Sequence, residues 1–183
     1  NSRVRQGVAQ NPHAPIELLE QLVGDRSEQV RQEVAQNPHA PIELLQQLAK
    51  DHNSRVRQGV AQNPHAPIEL LEQLVGDRSE QVRQEVAHNP NSSVEILEQL
   101  AWDGSKQVRQ EVANNPNSSI EIQELAQNQT VGRRIENAKN HTSVTILQIL
   151  ANDSCNWQVR QGVAQNPHTP IELLQKLAKD NKP

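Results

Sequence analysis

The chain repeats a 26-residue unit, and that period limits its fold more than any other feature. Val4, Val30, Val56, Val82 and Val108 are each followed by Arg-Gln, one variable residue, Val-Ala, another variable residue and then Asn-Pro. The frame returns at Val159, 51 residues beyond Val108, which is two periods less one. Residues 1–35 and 53–87 are identical. Self-similarity at a short fixed period indicates a solenoid, whose units bury their apolar faces only by stacking on neighbours. A single elongated array over residues 1–183 is therefore expected in place of one or two compact domains.

Each unit reads as two short helices. In the first, Ile16, Leu19, Leu22 and Val23, with Leu18 beside them, follow the 3.6-residue period. Pro15 suits the first helical position, where no amide donor is needed, and Gly24 suits a left-handed residue just past the last turn. Ser92 and Thr169 stand three residues before Glu95 and Glu172, the spacing of a capping box. In the second segment Val30 and Val34 lie one turn apart with Ala35 beside them, and Asn37-Pro38 ends it. A segment of about eight residues forms no stable helix alone, so its order must come from stacking. Leucine-rich repeats need an L-x-L alternation that is absent here, and HEAT or armadillo units are longer, at roughly 40–47 residues.

With these residues in place, the unit resembles the leucine-rich repeat variant, or LRV, family. Val30-Arg31, Val34-Ala35, Asn37-Pro38, Pro41, Leu45, Leu48-Ala49 and Asp51 carry the resemblance, which extends over nearly the whole chain and weakens at about 123–145. It implies an all-α, right-handed superhelical solenoid of about seven 26-residue units without strands. Each unit would hold one α-helix and one short helix of 3₁₀ type, although the Val-x-x-x-Val spacing equally allows a short α-helix. The founding member of the family carries an iron-sulfur cluster on a cysteine-rich N-terminal segment. The only cysteine here is Cys155, so no cofactor is carried over.

Composition narrows the function classes. There is no Phe, Tyr or Met, so Leu, Ile, Val and Ala must fill thin, similar layers. The formal charge of -4 is spread through every unit without a polybasic block, which argues against nucleic acid and anionic membranes. A lone cysteine fits a reducing, cytoplasmic compartment. Neither a membrane span nor a signal peptide is visible. Asn1-Ser2-Arg3-Val4 matches Asn53-Ser54-Arg55-Val56 in mid-array, so the start is expected to cut through a longer array. Val4 and Val8 at one end, with Leu174 and Leu177 at the other, predict end-to-end self-association or stabilisation by flanking units.

Three columns of polar residues recur. Arg5, Arg31, Arg57, Arg83, Arg109 and Arg160 keep step with Asp25, Asp51, Asp77, Asp103, Asp153 and Asp180, which favours an internal ion-pair ladder over a phosphate-tracking stripe. Asn11, Asn37, Asn63, Asn89, Asn115 and Asn166 precede prolines and are expected to satisfy backbone groups of the turn. His13, His39, His65 and His168 resemble a metal column, but helical layers stand about 8–10 Å apart, too far for neighbouring histidines to share one ion at about 2.0–2.1 Å. Asn91 and Asn117 take the same slot in other units. No metal site is expected.

The reading is therefore a non-enzymatic scaffold that presents an extended surface to a protein or peptide. A nucleic-acid-binding array and a purely structural spacer are the alternatives. No nucleophile-base motif or phosphate-cradling loop is present, and nothing local supports pairing His141 with Cys155. Candidate surface residues are Gln32, Glu33, Gln84, Glu85, Gln110 and Glu111 on the second helix of the unit. A further patch is Arg133, Arg134, Lys139 and His141 in the irregular stretch of about 123–158, where a lost residue and a missing proline predict a kink or a looser layer.

Overall fold

A computed structural model describes residues 1–127, 129–153 and 156–180. The helices in chain order are α1 (Ser2–Gln10), α2 (Ile16–Leu22), α3 (Glu28–Gln36), α4 (Ile42–Leu48), α5 (Ser54–Gln62), α6 (Ile68–Leu74) and α7 (Glu80–His88). They continue with α8 (Val94–Leu100), α9 (Lys106–Asn114), α10 (Ile120–Gln127), α11 (Val131–Asn140), α12 (Val144–Ala151), α13 (Trp157–Gln165) and α14 (Ile171–Leu177). Among the described residues there is no strand. The contacts group the chain into two compact units, residues 1–123 and 124–183, with α10 running across the division.

Two helices per repeat form as the spacing predicts, but their character differs in four respects. The odd-numbered segment is a full α-helix of nine residues in α1, α3, α5, α7, α9 and α13, longer than the seven of α2 or α4, and not a 3₁₀ turn. Its two valines sit four apart, the α-helical register, and an Asn or Ser side chain caps the start of α1, α5, α9 and α13. Pro15 and Pro41 lie one position earlier than expected, at the cap, because their ψ of 146° and 153° is extended. No described glycine has positive φ, so Gly24 is not a left-handed stop; right-handed Val23 carries the helix into a turn closed by Asp25 N–H on Leu22 O. Ser92 and Thr169 do not cap helices either. Their hydroxyls donate to Val86 O and Val163 O, carbonyls at the end of the preceding odd helix.

Within the first unit α1, α3, α5, α7 and α9 pack on one another in sequence, and in the second α11 packs on α13. The even helices α2, α4, α6 and α8 are set further apart, each resting on the odd helices that flank it. Val30, Val34 and Ala35 are fully buried, as are Val56, Val60 and Ala61 one period later. In the first unit Leu45, Leu71 and Leu97 of the even helices are fully buried too, and in the second so is Leu147 of α12. Helices of seven to nine residues fall below the length that is stable alone in water, about 12–15 residues, so this packing holds them together.

One glycine position sets how closely layers approach. A Cβ on Gly59 would lie 3.0 Å from Gln32 O and 3.1 Å from Ala35 Cβ, whereas one on Gly76 would meet nothing within 4 Å. Gly59→Ala is therefore expected to destabilise: overpacking costs about 1–3 kcal/mol, more than the helix-propensity gain of about 1 kcal/mol. Gly76→Ala is expected to stabilise by about 0.4–1 kcal/mol, through the unfolded chain. Urea unfolding of the two variants checks the opposite signs.

Candidate interaction surface

The repeated arginines and aspartates are consumed inside the array. Nε of Arg31 donates to Asp51 Oδ2 at 2.6 Å and Nη2 to Oδ1 at 3.1 Å, while Nη1 donates to Asp25 O at 2.7 Å. Arg57 and Arg83 repeat all three bonds with Asp77 and Asp51 O, and with Asp103 and Asp77 O. Each guanidinium thus ties the turn that enters its own helix to the turn that enters the next. The carboxylate also caps that turn, accepting Ser27 N–H at Asp25 and Asn53 N–H at Asp51. Arg5 pairs with Asp25, Arg134 with Asp153 and Arg160 with Asp180. Arg109 Nη1 donates to Asp103 O.

These contacts shift the carboxylates. The Arg5 guanidinium, followed by Ser27 N–H, holds Asp25 below the usual range. At Asp51 and Asp77 burial pushes upward, but the bonds from Arg31 or Arg57 and from the turn amides outweigh it, and both carboxyls are lowered.

The asparagines bind across layers as well as within their own turns. Asn63 Nδ2 donates to Ala35 O at 2.7 Å and Asn37 O at 2.9 Å, both of the preceding repeat, while Oδ1 accepts His65 N–H at 2.8 Å. Asn37, Asn89 and Asn115 do the same and are nearly fully buried. The histidines of the neighbouring slot contribute only their backbone to these turns, and the His13, His39, His65 and His168 side chains are exposed. Among the described residues no group of three His, Cys, Asp or Glu converges on a point that could hold a metal ion. Cys155 lies outside the described residues.

The residues put forward as a surface are partly engaged with each other. Gln6 Nε2 donates to Glu33 at 2.8 Å, and Gln58 and Gln62 donate to Glu85 at 2.9 and 2.7 Å. Glu111 takes Gln84 at 3.4 Å and lies 3.1 Å from His88 Nδ1. Gln32, Glu33, Gln84, Glu85 and Glu111 are half-buried, and Gln110 is exposed. In the second unit Arg134 belongs to the ion-pair ladder, and Arg133 stands 3.9 Å from Glu124 and 3.8 Å from Glu136. Lys139 is exposed, while His141 Nδ1 accepts Ser143 N–H and its carbonyl accepts Asn166.

A second surface was not apparent from the residues. Ile16, Ile42, Ile68 and Val94, counted by periodicity as core-facing, are 47, 47, 44 and 46% exposed. They open α2, α4, α6 and α8, whose sequences hold Glu17, Glu20, Glu43, Glu69, Glu72, Glu95 and Glu98 and no cation. A hollow of about 500 Å³ beside Ile68 is lined by Pro64, His65, Ala66, Pro67, Ile68 and Asn91. The available signal was a β-branched apolar residue held at the first helical position of every unit, one place before Glu in all but the irregular unit, where Thr145 follows Val144. In the second unit α12 carries no charge and α14 carries Lys176, and hollows of about 660 and 580 Å³ lie between them.

Stacked helix pairs with ladders of paired side chains define an all-α tandem-repeat solenoid. A family model described as "Leucine Rich Repeat Variant domain" matches residues 29–89, and one described as "Leucine rich repeat variant" matches residues 3–27. A solved structure described as a leucine-rich repeat variant with a novel repetitive protein structural motif is 30% identical. It aligns over 93% of this chain and 68% of its own, with a TM-score of 0.50. The chain belongs to the leucine-rich repeat variant family. No curated protein matches it. Among the described residues no helix is long and apolar enough to cross a membrane.

The lowered aspartates give the array an acid limit. A carboxyl whose folded pKa lies below its unfolded value of about 3.9 stabilises the fold above that value and loses the contribution as pH falls through the folded pKa. Stability followed by chemical unfolding is therefore expected to hold at neutral pH and to fall below about pH 4. Asp51→Asn should lower the neutral plateau and flatten the acid slope.

Proposed function

We propose that this chain is a non-catalytic repeat scaffold that offers an extended surface to a protein or peptide partner. The observation that carries this reading is the internal use of the repeated polar residues. Arginines and asparagines, the groups best suited to phosphates or to chemistry, are bonded to neighbouring repeats. What recurs outward is the acidic, half-exposed Ile and Glu edge of α2, α4, α6 and α8, with the Gln and Glu columns of the odd helices. Gln32, Glu33, Gln84, Glu85, Gln110 and Glu111 form one candidate contact area, and Arg133, Arg134, Lys139 and His141 a second.

Nucleic acid fits this surface less well. Phosphate binding requires cations free to release counterions, and the repeated arginines already face carboxylates. Single strands also need stacking rings, and the sequence has only Trp102 and Trp157. Affinity capture on the immobilised chain, with and without nuclease, separates the classes. Retained protein that survives nuclease is expected. Retention lost on nuclease treatment would favour the nucleic-acid reading, and no retained partner would favour a structural spacer.

A further inference from the structure

The outer edge of the first unit has a period as well as a composition. Ile16, Ile42, Ile68 and Val94 stand once per repeat, each close to half exposed. Residues four apart on a helix share a face one turn apart, so Glu20, Glu72 and Glu98 lie below Ile16, Ile68 and Val94. Glu17, Glu43, Glu69 and Glu95 flank the column and are exposed. The cations nearest in sequence, Arg26, Lys50 and Arg78, follow the opposite ends of α2, α4 and α6, about 10 Å away along a seven-residue helix. The column is thus apolar with an acidic border that no cation of its own helices neutralises.

Successive columns of a helical stack stand about 8–10 Å apart. The even helices are the more widely set, so their columns stand no closer than this. An extended or polyproline II strand advances about 3.1–3.4 Å per residue, or about 9–10 Å in three residues. A strand laid across the layers therefore returns a side chain to the same place at every third residue. The hollow between Ile68 and Asn91 offers such a side chain a seat, and Asn91 Nδ2 closes its floor on Pro64 O and Ala66 O at 2.8 and 3.1 Å.

We propose that the Ile16–Ile42–Ile68–Val94 column of the first unit docks an extended cationic peptide that carries an apolar residue at every third position and Lys or Arg between them. This rests on the scaffold reading and adds the face, the partner's conformation and its charge. The apolar residues seat on the column, and the cations meet the bordering glutamates. The even helices need not move, since the edge already stands free.

The test uses the whole 183-residue chain and fluorescence anisotropy with labelled synthetic peptides. One peptide holds five tandem Leu-Pro-Lys triplets, the second has the same composition in shuffled order, and the third replaces Lys by Glu. The triplet peptide should bind, with the shuffled peptide weaker by about tenfold or more and the Glu peptide not binding. Ile42→Ser with Ile68→Ser should weaken the triplet peptide by about tenfold while the variant still melts cooperatively above the assay temperature, and Glu20→Gln with Glu72→Gln should reduce the salt dependence. Equal binding of ordered and shuffled peptides would overturn the proposal, as would full binding by the Ser variant or no binding at all. If the peptides fail while nuclease-resistant proteins are still captured, this inference falls and the scaffold reading stands.

Discussion

The structure depends on a buried amide that spans two layers. Each interior Asn of the Asn-Pro turns donates two hydrogen bonds to carbonyls of the preceding repeat and accepts one from its own turn. One of the two, such as Ala35 O in the last turn of α3, is a carbonyl that a short helix leaves orphaned, while the other, Asn37 O, also accepts Ala40 N–H. Water cannot replace the amide, because Asn63 is completely buried. The bond therefore fixes both the distance and the rotation between repeats, which apolar contacts alone leave loosely specified. The Arg–Asp bridges do the same at the other end of the odd helix, so each layer is pinned at both ends.

Much of this was legible because a repeat gives every position several witnesses. The Asn and Arg columns stood out by fixed phase, and equal numbers of Arg and Asp favoured pairing, as found. What phase could not give was direction. The sequence cannot distinguish an asparagine that closes its own turn from one that reaches 28 residues back to Ala35. Glycine at position 24 was misread for a similar reason: a left-handed stop and a simple right-handed turn share the residue, and here the turn is right-handed. The half-exposed Ile column was hidden by the helical period itself, which assigns the first apolar residue to the core although it stands at the edge of a seven-residue helix.

The irregular stretch becomes intelligible once aligned on Arg134 and Ala138. Arg133 then occupies the slot of buried Val30, and Asn137 that of buried Val34. Arg133 Nε, Arg134 Nε and Asn137 Nδ2 are buried without a hydrogen-bond partner. The turn has slipped as well, since Asn166 reaches His141 O, 25 residues back, where Asn63 reaches Asn37 O, 26 back. The inter-layer amide survives the slip, and so does the arginine bridge to Asp153. The core valines were lost while the ladders were kept.

Asn63→Asp isolates the claim that the inter-layer amide holds the stack. Aspartate has nearly the same shape and keeps the acceptor for His65 N–H, but when ionised it has no donor for Ala35 O and Asn37 O. Urea unfolding at neutral pH should show a loss of about 3 kcal/mol or more, because Ala35 O is left unpaired beside a buried charge and Asn37 O keeps only Ala40 N–H. A variant within about 1 kcal/mol of the parent would contradict the account, since apolar stacking alone would then suffice to hold the layers in register.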